Sequence, residues 1–129
     1  MSRTPQEQAT HDLVMEMYRN VLTAMDSTQV DRYISPDYIQ HSSLAPPGRD
    51  ALKAFLDRVR VETPEASHEI GRTFVDGDYV IVHLLVRLNH QHRGFAVVDI
   101  FRVENGMVAE HWDVLQDVPE TSVNPNPMV

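Results

Sequence analysis

The sequence predicts an α+β domain, in which three N-terminal helices cover one face of a curved antiparallel sheet to form a cone enclosing a pocket. Three observations predict it. Apolar residues recur at helical spacing only in the first half of the chain, and every segment after Thr63-Pro64 reads as strand. The third is Glu104-Asn105-Gly106 between two β-rich runs, a strong hairpin signal because Asn and Gly both tolerate the positive φ of a tight turn. At 129 residues, the expectation is one domain over 1–129, with 120–129 as an extended or mobile tail.

Thr4-Pro5-Gln6-Glu7 has the form of a helix start, with Thr4 as cap, Pro5 in the first turn and Glu7 completing a capping box. Val14, Met17, Tyr18, Val21, Leu22 and Met25 then form one apolar stripe. Ser27 and Thr28 can cap a second, short helix carrying Val30, Tyr33 and Ile34, which must stop before Pro36. Asp37 to His41 reads as a short extended segment leading into a Pro/Gly loop ending at Gly48. Ala51, Leu52, Phe55, Leu56 and Val59 define a third helix, from Arg49 to about Val61.

Four strands are expected after it, as an antiparallel meander: Ser67 to Val75, Tyr79 to Asn89, Phe95 to Val103 and Met107 to Gln116. On the second, Val80, Val82, Leu84, Val86 and Leu88 share the more buried face. The tail holds two Asn-Pro pairs and no periodicity, which fits a mobile segment or one draped over a partner subunit.

The register of the last hairpin decides which face its ionisable residues occupy. A two-residue loop at Asn105-Gly106 sets Asp99 opposite Trp112 and turns Asp113 to the other face. A three-residue loop sets Asp99 opposite His111, with Asp113 on their face. The longer loop is the favoured expectation, because it gathers the polar residues on one surface and leaves Val98, Ile100, Val108, Trp112 and Val114 largely on the other.

Composition narrows the partners. A net charge of −8 with no basic patch argues against nucleic acid. No apolar run approaches the roughly 18 residues of a membrane span, and MSRTPQEQ lacks the apolar core of a signal peptide, so a cytoplasmic protein is expected. With no cysteine, thiolate chemistry is excluded. His90 and His92 lie in a turn without a third ligand, and no metal or organic cofactor is expected.

The candidate catalytic residues are Asp113, Asp99, His111 and His41. Asp113 sits between Trp112 and Val114-Leu115, an apolar setting suited to an acid/base if it points inward. Asp99 lies between Val98 and Ile100 on a central strand, where a buried charge needs a partner, and His111 is that partner in the favoured register. His41 offers a side chain that exchanges protons near neutral pH. Tyr18, Tyr38, His83, Phe101 and Leu115 are the expected substrate-binding residues, and Trp112 is expected on the opposite face, under a helix or in a dimer contact.

Element order and motifs together resemble the nuclear transport factor 2-like superfamily, and within it the SnoaL-like polyketide cyclases. The resemblance runs from Leu13 to Pro119 and is carried by Tyr38-Ile39-Gln40-His41, Pro47-Gly48-Arg49, Val98-Asp99-Ile100-Phe101-Arg102 and Glu110-His111-Trp112-Asp113. It implies that Asp113 matches the acid/base of an intramolecular aldol closure, whereas Asp99 stands where the cyclases carry histidine. The chain also resembles ketosteroid isomerases at Tyr18 and Asp99, with His41 near their aspartate base. The implied function is cofactor-free proton transfer beside a carbonyl of a small hydrophobic molecule, in a cyclisation or isomerisation. A ligand-binding module without turnover and a hydrolase activating water through an Asp-His pair are the alternatives. A homodimer through the apolar face is the expected assembly.

Overall fold

A computed structural model of the chain describes residues 2–129. Helix α1 (Pro5–Met17) starts at the Thr4 capping box: Glu7 N donates to Thr4 Oγ1 at 3.1 Å and Thr4 N to Glu7 Oε1 at 3.0 Å. It continues as a π-helical segment, Tyr18–Thr23, in which Tyr18 and Val21 are buried. The cap of the next turn is Asp26, which accepts from Thr28 N, rather than Ser27 or Thr28; a 3-10 turn then leads into α2 (Val30–Tyr33). Helix α3 spans Arg49–Glu62.

The sheet has five strands, one more than the expected meander, in the order β1-β5-β4-β3-β2. Strands β2 (Ser67–Asp76), β3 (Tyr79–Arg87), β4 (Phe95–Glu104) and β5 (Met107–Asp117) pair antiparallel in sequence. The addition is β1 (Ile34–Gln40), which pairs parallel with β5 and sets Gln40 beside His111. Its residues leave the helical region at Ile34, ahead of Pro36, so the segment read as a short lead-in is an edge strand.

Neither expected hairpin register is the observed one. The loop is the two-residue Asn105-Gly106, with φ of 52° and 73°, and Glu104 pairs with Met107. A bulge follows at once: Val103 pairs with Val108 but Arg102 with Glu110, so Ala109 is an extra residue on β5. That one residue shifts the remaining pairs by one place. Asp99 falls opposite Asp113, His111 opposite Phe101, and all lie on the concave face. Val108, at the bulge, belongs to the core and not to the outer apolar face, and Ala109 beside it is buried as well.

The helices cover the concave face, where Val14, Met17, Val21, Ile34 and Leu56 meet Val80, Val82 and Leu84. The outer face stays open, with Phe74, Tyr79 and Val114 exposed and Trp112 half-buried under no helix. The tail after Asp117 has no regular structure, and its last residue packs on the chain's own β2: a Cβ on Gly71 would lie 2.8 Å from Val129 Cγ1. No helix among the described residues is long and apolar enough to cross a membrane.

The turn can be tested without touching the core. Gly106 has a φ of 73° and open space around a would-be Cβ, so Gly106→Ala costs backbone strain alone. The expected loss is about 1–2 kcal/mol in urea unfolding; an unchanged midpoint would show that the turn does not hold this conformation.

Candidate functional site

Asp99 is 8% exposed on β4, with Val82 on one side and Asp113 on the other. Burying a carboxylate there requires donors, and two elements supply them. The Tyr18 hydroxyl, brought in by the π-helical segment, donates a hydrogen bond to Asp99 Oδ2. His111 Nε2, from β5, lies 2.8 Å from Asp99 Oδ1. The other ring nitrogen, Nδ1, is 2.7 Å from Gln40 Oε1 on β1.

Gln40 carries the chain of hydrogen bonds outward. Its Oε1 also accepts from Ser42 N at 3.1 Å, and its Nε2 donates to the Tyr38 hydroxyl at 2.9 Å. Tyr38 therefore uses a lone pair on Gln40 and keeps its own proton to donate. Burial, followed by the nearby Asp99 and Asp113 charges, pushes the Tyr38 phenol well up, with the Gln40 bond opposing weakly. Tyr18 is raised for the same reasons, burial first and Asp99 second. Both phenols stay protonated at any physiological pH.

These groups line one end of a cavity of about 320 Å³ between the helices and the concave face. Leu22, Leu52, Phe55, Val97, Phe101 and Leu115 make most of its wall apolar. Asp113, half-buried, faces the cavity and makes no hydrogen bond among the described residues. It is the only carboxylate of the cluster free to take a proton or bind a substrate.

Asp99, His111 and Asp113 each offer a ligand atom, all within 4.8 Å of one another. Both nitrogens of His111 are already engaged, however, so a cation would have to displace the Gln40 or the Asp99 bond. The donor set suits proton movement better than coordination.

Of the expected residues, Tyr18, Tyr38, Asp99, Phe101, His111, Asp113 and Leu115 converge on the cavity. His41 and His83 do not. Side chains alternate along β1, so Tyr38 and Gln40 point inward while Ile39 and His41 point out. There His41 stacks on Trp112 with ring centroids 4.7 Å apart, and its Nε2 sits 2.6 Å from Glu110. His83 pairs with Val98 on the same outer face and contacts the Arg72 guanidinium. Both leave the candidate site.

Gln40 and His68 are cavity residues that the sequence analysis does not single out. Gln40 was two places from Tyr38 and so on its face, a period-two signal that the more reactive His41 obscured. His68, on β2, lines the cavity with only a 3.4 Å contact from Nδ1 to Thr23 Oγ1. Burial pushes its imidazole below the usual histidine value of 6.5, Asp99 opposing.

The sign of the His68 effect is fixed. The unfolded chain binds a proton at His68 more readily than the folded one, so this residue removes stability as pH falls through about 6.5 and has no effect well above it. His68→Gln should therefore show a smaller drop in urea midpoint than the wild type when the two are compared on either side of that pH. Equal drops would mean that His68 is not buried as described.

Comparison with known proteins agrees with this architecture. Residues 12–120 match the family model of SnoaL-like polyketide cyclases. Among solved structures, a candidate SnoaL-like polyketide cyclase from Jannaschia sp. CCS1 superposes with a TM-score of 0.76 at 17% identity, over 89% of this chain and 90% of the other. A candidate polyketide cyclase from Acidithiobacillus ferrooxidans gives 0.72 at 18%, over 89% and 91%. A SnoaL-like protein of unknown function from Burkholderia thailandensis gives 0.72 at 14%, over 88% and 99%. At these identities the likeness is one of fold. No curated protein matches the chain.

Proposed function

We propose that this chain, which belongs to the SnoaL-like polyketide cyclase family, catalyses proton transfer beside a carbonyl, with Asp113 as its acid/base. The observation that carries the reading is the contrast between the two carboxylates of β4 and β5. Each oxygen of Asp99 is engaged, one by Tyr18 and the other by His111, while Asp113 faces the cavity and makes no hydrogen bond among the described residues. A carboxylate held ready in an apolar cavity is what abstraction of a weakly acidic C–H proton needs.

The step balances on the chain's own groups. Asp113 accepts the proton as the C–H bond breaks, and the bonding electrons move to the carbonyl oxygen as an enolate. The Tyr38 phenol supplies the hydrogen bond to that oxygen, having no other acceptor among the described residues. The enolate then either attacks a second carbonyl of the same molecule, giving an aldol-type closure, or takes the proton back at another carbon, giving isomerisation. Asp113 returns the proton in both cases. The apolar wall selects a small hydrophobic carbonyl compound.

Exchange of the carbon-bound proton tests this without knowledge of the natural substrate. A panel of small hydrophobic β-dicarbonyl compounds in deuterated buffer should show enzyme-dependent exchange beside the carbonyl, followed by NMR. Asp113→Asn should lower the rate on the order of 100- to 10,000-fold with little change in binding. Tyr38→Phe should cost on the order of 100-fold. Compounds that bind but never exchange would leave a ligand-binding module in place of an enzyme.

We further propose that the chain forms a homodimer through the outer face of the sheet. Phe74, Tyr79, Val114 and Ile39 are 55%, 43%, 69% and 46% exposed there, around a half-buried Trp112. So much open apolar surface is typical of an interface. Sedimentation at micromolar concentration should give twice the 14.7 kDa chain mass, and Val114→Lys should shift it to the monomer. A wild-type monomer overturns the assignment.

A further inference from the structure

The proton positions in the buried network are fixed by a group that cannot itself titrate. Ser42 N is a backbone amide and can only donate, so the atom of the Gln40 amide 3.1 Å from it is the oxygen. The Gln40 nitrogen then faces Tyr38 and must be the donor there. That leaves the oxygen to meet His111 Nδ1 at 2.7 Å, and two acceptors cannot face one another at that distance. His111 Nδ1 must carry a proton.

The consequence falls on the other side of the ring. A neutral imidazole has one N–H, and here it is spent on Gln40. Yet His111 Nε2 lies 2.8 Å from Asp99 Oδ1, and Asp99 Oδ2 already accepts from Tyr18. A lone pair on Nε2 against an ionised carboxylate would be repulsive, so a proton has to lie between them.

We propose that Gln40 is a positioning residue, which pins a proton on His111 Nδ1 and thereby obliges the Asp99–His111 pair to hold a second proton between them. The other titratable groups facing the pair are Tyr18, Tyr38, His68 and Asp113. The two phenols stay neutral, and burial lowers the proton affinity of His68, with Asp99 opposing. Asp113 is the one remaining carboxylate beside the pair. A pair whose proton places are filled cannot accept another from a substrate, and the accepting role passes to Asp113. That last step rests on the proton-transfer reading above; the proton count does not.

Nitrogen NMR of the histidine rings in the intact protein, without any ligand, reads the count directly. In the wild type, His111 Nδ1 should show a bound proton, and a second proton should be found between His111 Nε2 and Asp99. Gln40→Leu removes the acceptor, so the ring should move its proton to Nε2 and lose the Nδ1 signal. Gln40→Glu retains an oxygen toward Nδ1 and should restore it. A wild-type His111 with its sole proton on Nε2 near neutral pH overturns the proposal, whether or not the variants fold. The outcome is separable from the catalytic reading: loss of exchange in Asp113→Asn with the wrong His111 tautomer sinks this inference alone, and the correct tautomer with an active Asp113→Asn sinks the assignment of Asp113 alone.

Discussion

A carboxylate buried on an inner strand has to be given donors, and much of this molecule is arranged around supplying them to Asp99. Tyr18 comes from the helical layer, His111 from β5, and the group that orients His111 from β1. The three partners belong to segments far apart in the sequence, so the network can form only when helix, hairpin and edge strand are all in place. It ties the layers together more specifically than the apolar core, which accepts many packings of similar volume.

The bulge at Ala109 makes that network geometrically possible. Asn105-Gly106 closes the tightest hairpin, and an unbroken ladder from such a turn would send Asp113 to the opposite face from Asp99. The extra residue restores the alternation a few positions later. Turn chemistry and site chemistry thus make opposite demands on the register, and both are met because the ladder yields between them. The bulge coincides with consecutive burial of Val108 and Ala109, where a regular strand with one face open to solvent would alternate.

This conflict explains what the sequence could and could not reveal. The helices, the four antiparallel strands and the grouping of Asp99, His111 and Asp113 were legible because each rests on local periodicity or on a residue whose burial demands a partner. The grouping was reached through the wrong loop, however, since a three-residue turn and a two-residue turn with a bulge place Asp113 on the same face. Strand β1 was hidden because its pairing with β5 is parallel and distant in sequence, and a seven-residue segment containing Pro36 carries little strand signal of its own. With β1 unassigned, the facing of His41 could not be settled, and its neighbour Gln40 was passed over.

Strand β5 then divides two kinds of work by alternation alone. His111 and Asp113 face the cavity, while Glu110 and Trp112 between them hold His41 on the outside. Burial raises the cost of an unpaired charge, so a fold selected for stability alone would either hydrogen-bond Asp113 or replace it. Asp99 shows that this framework can supply partners to a carboxylate directly across the strand pair. Asp113 is left without them in the same cavity, beside a phenol with a proton to give. In the proposed function a third molecule lies between this free carboxylate and the available donor, presenting an acidic C–H bond to one and an oxygen to the other.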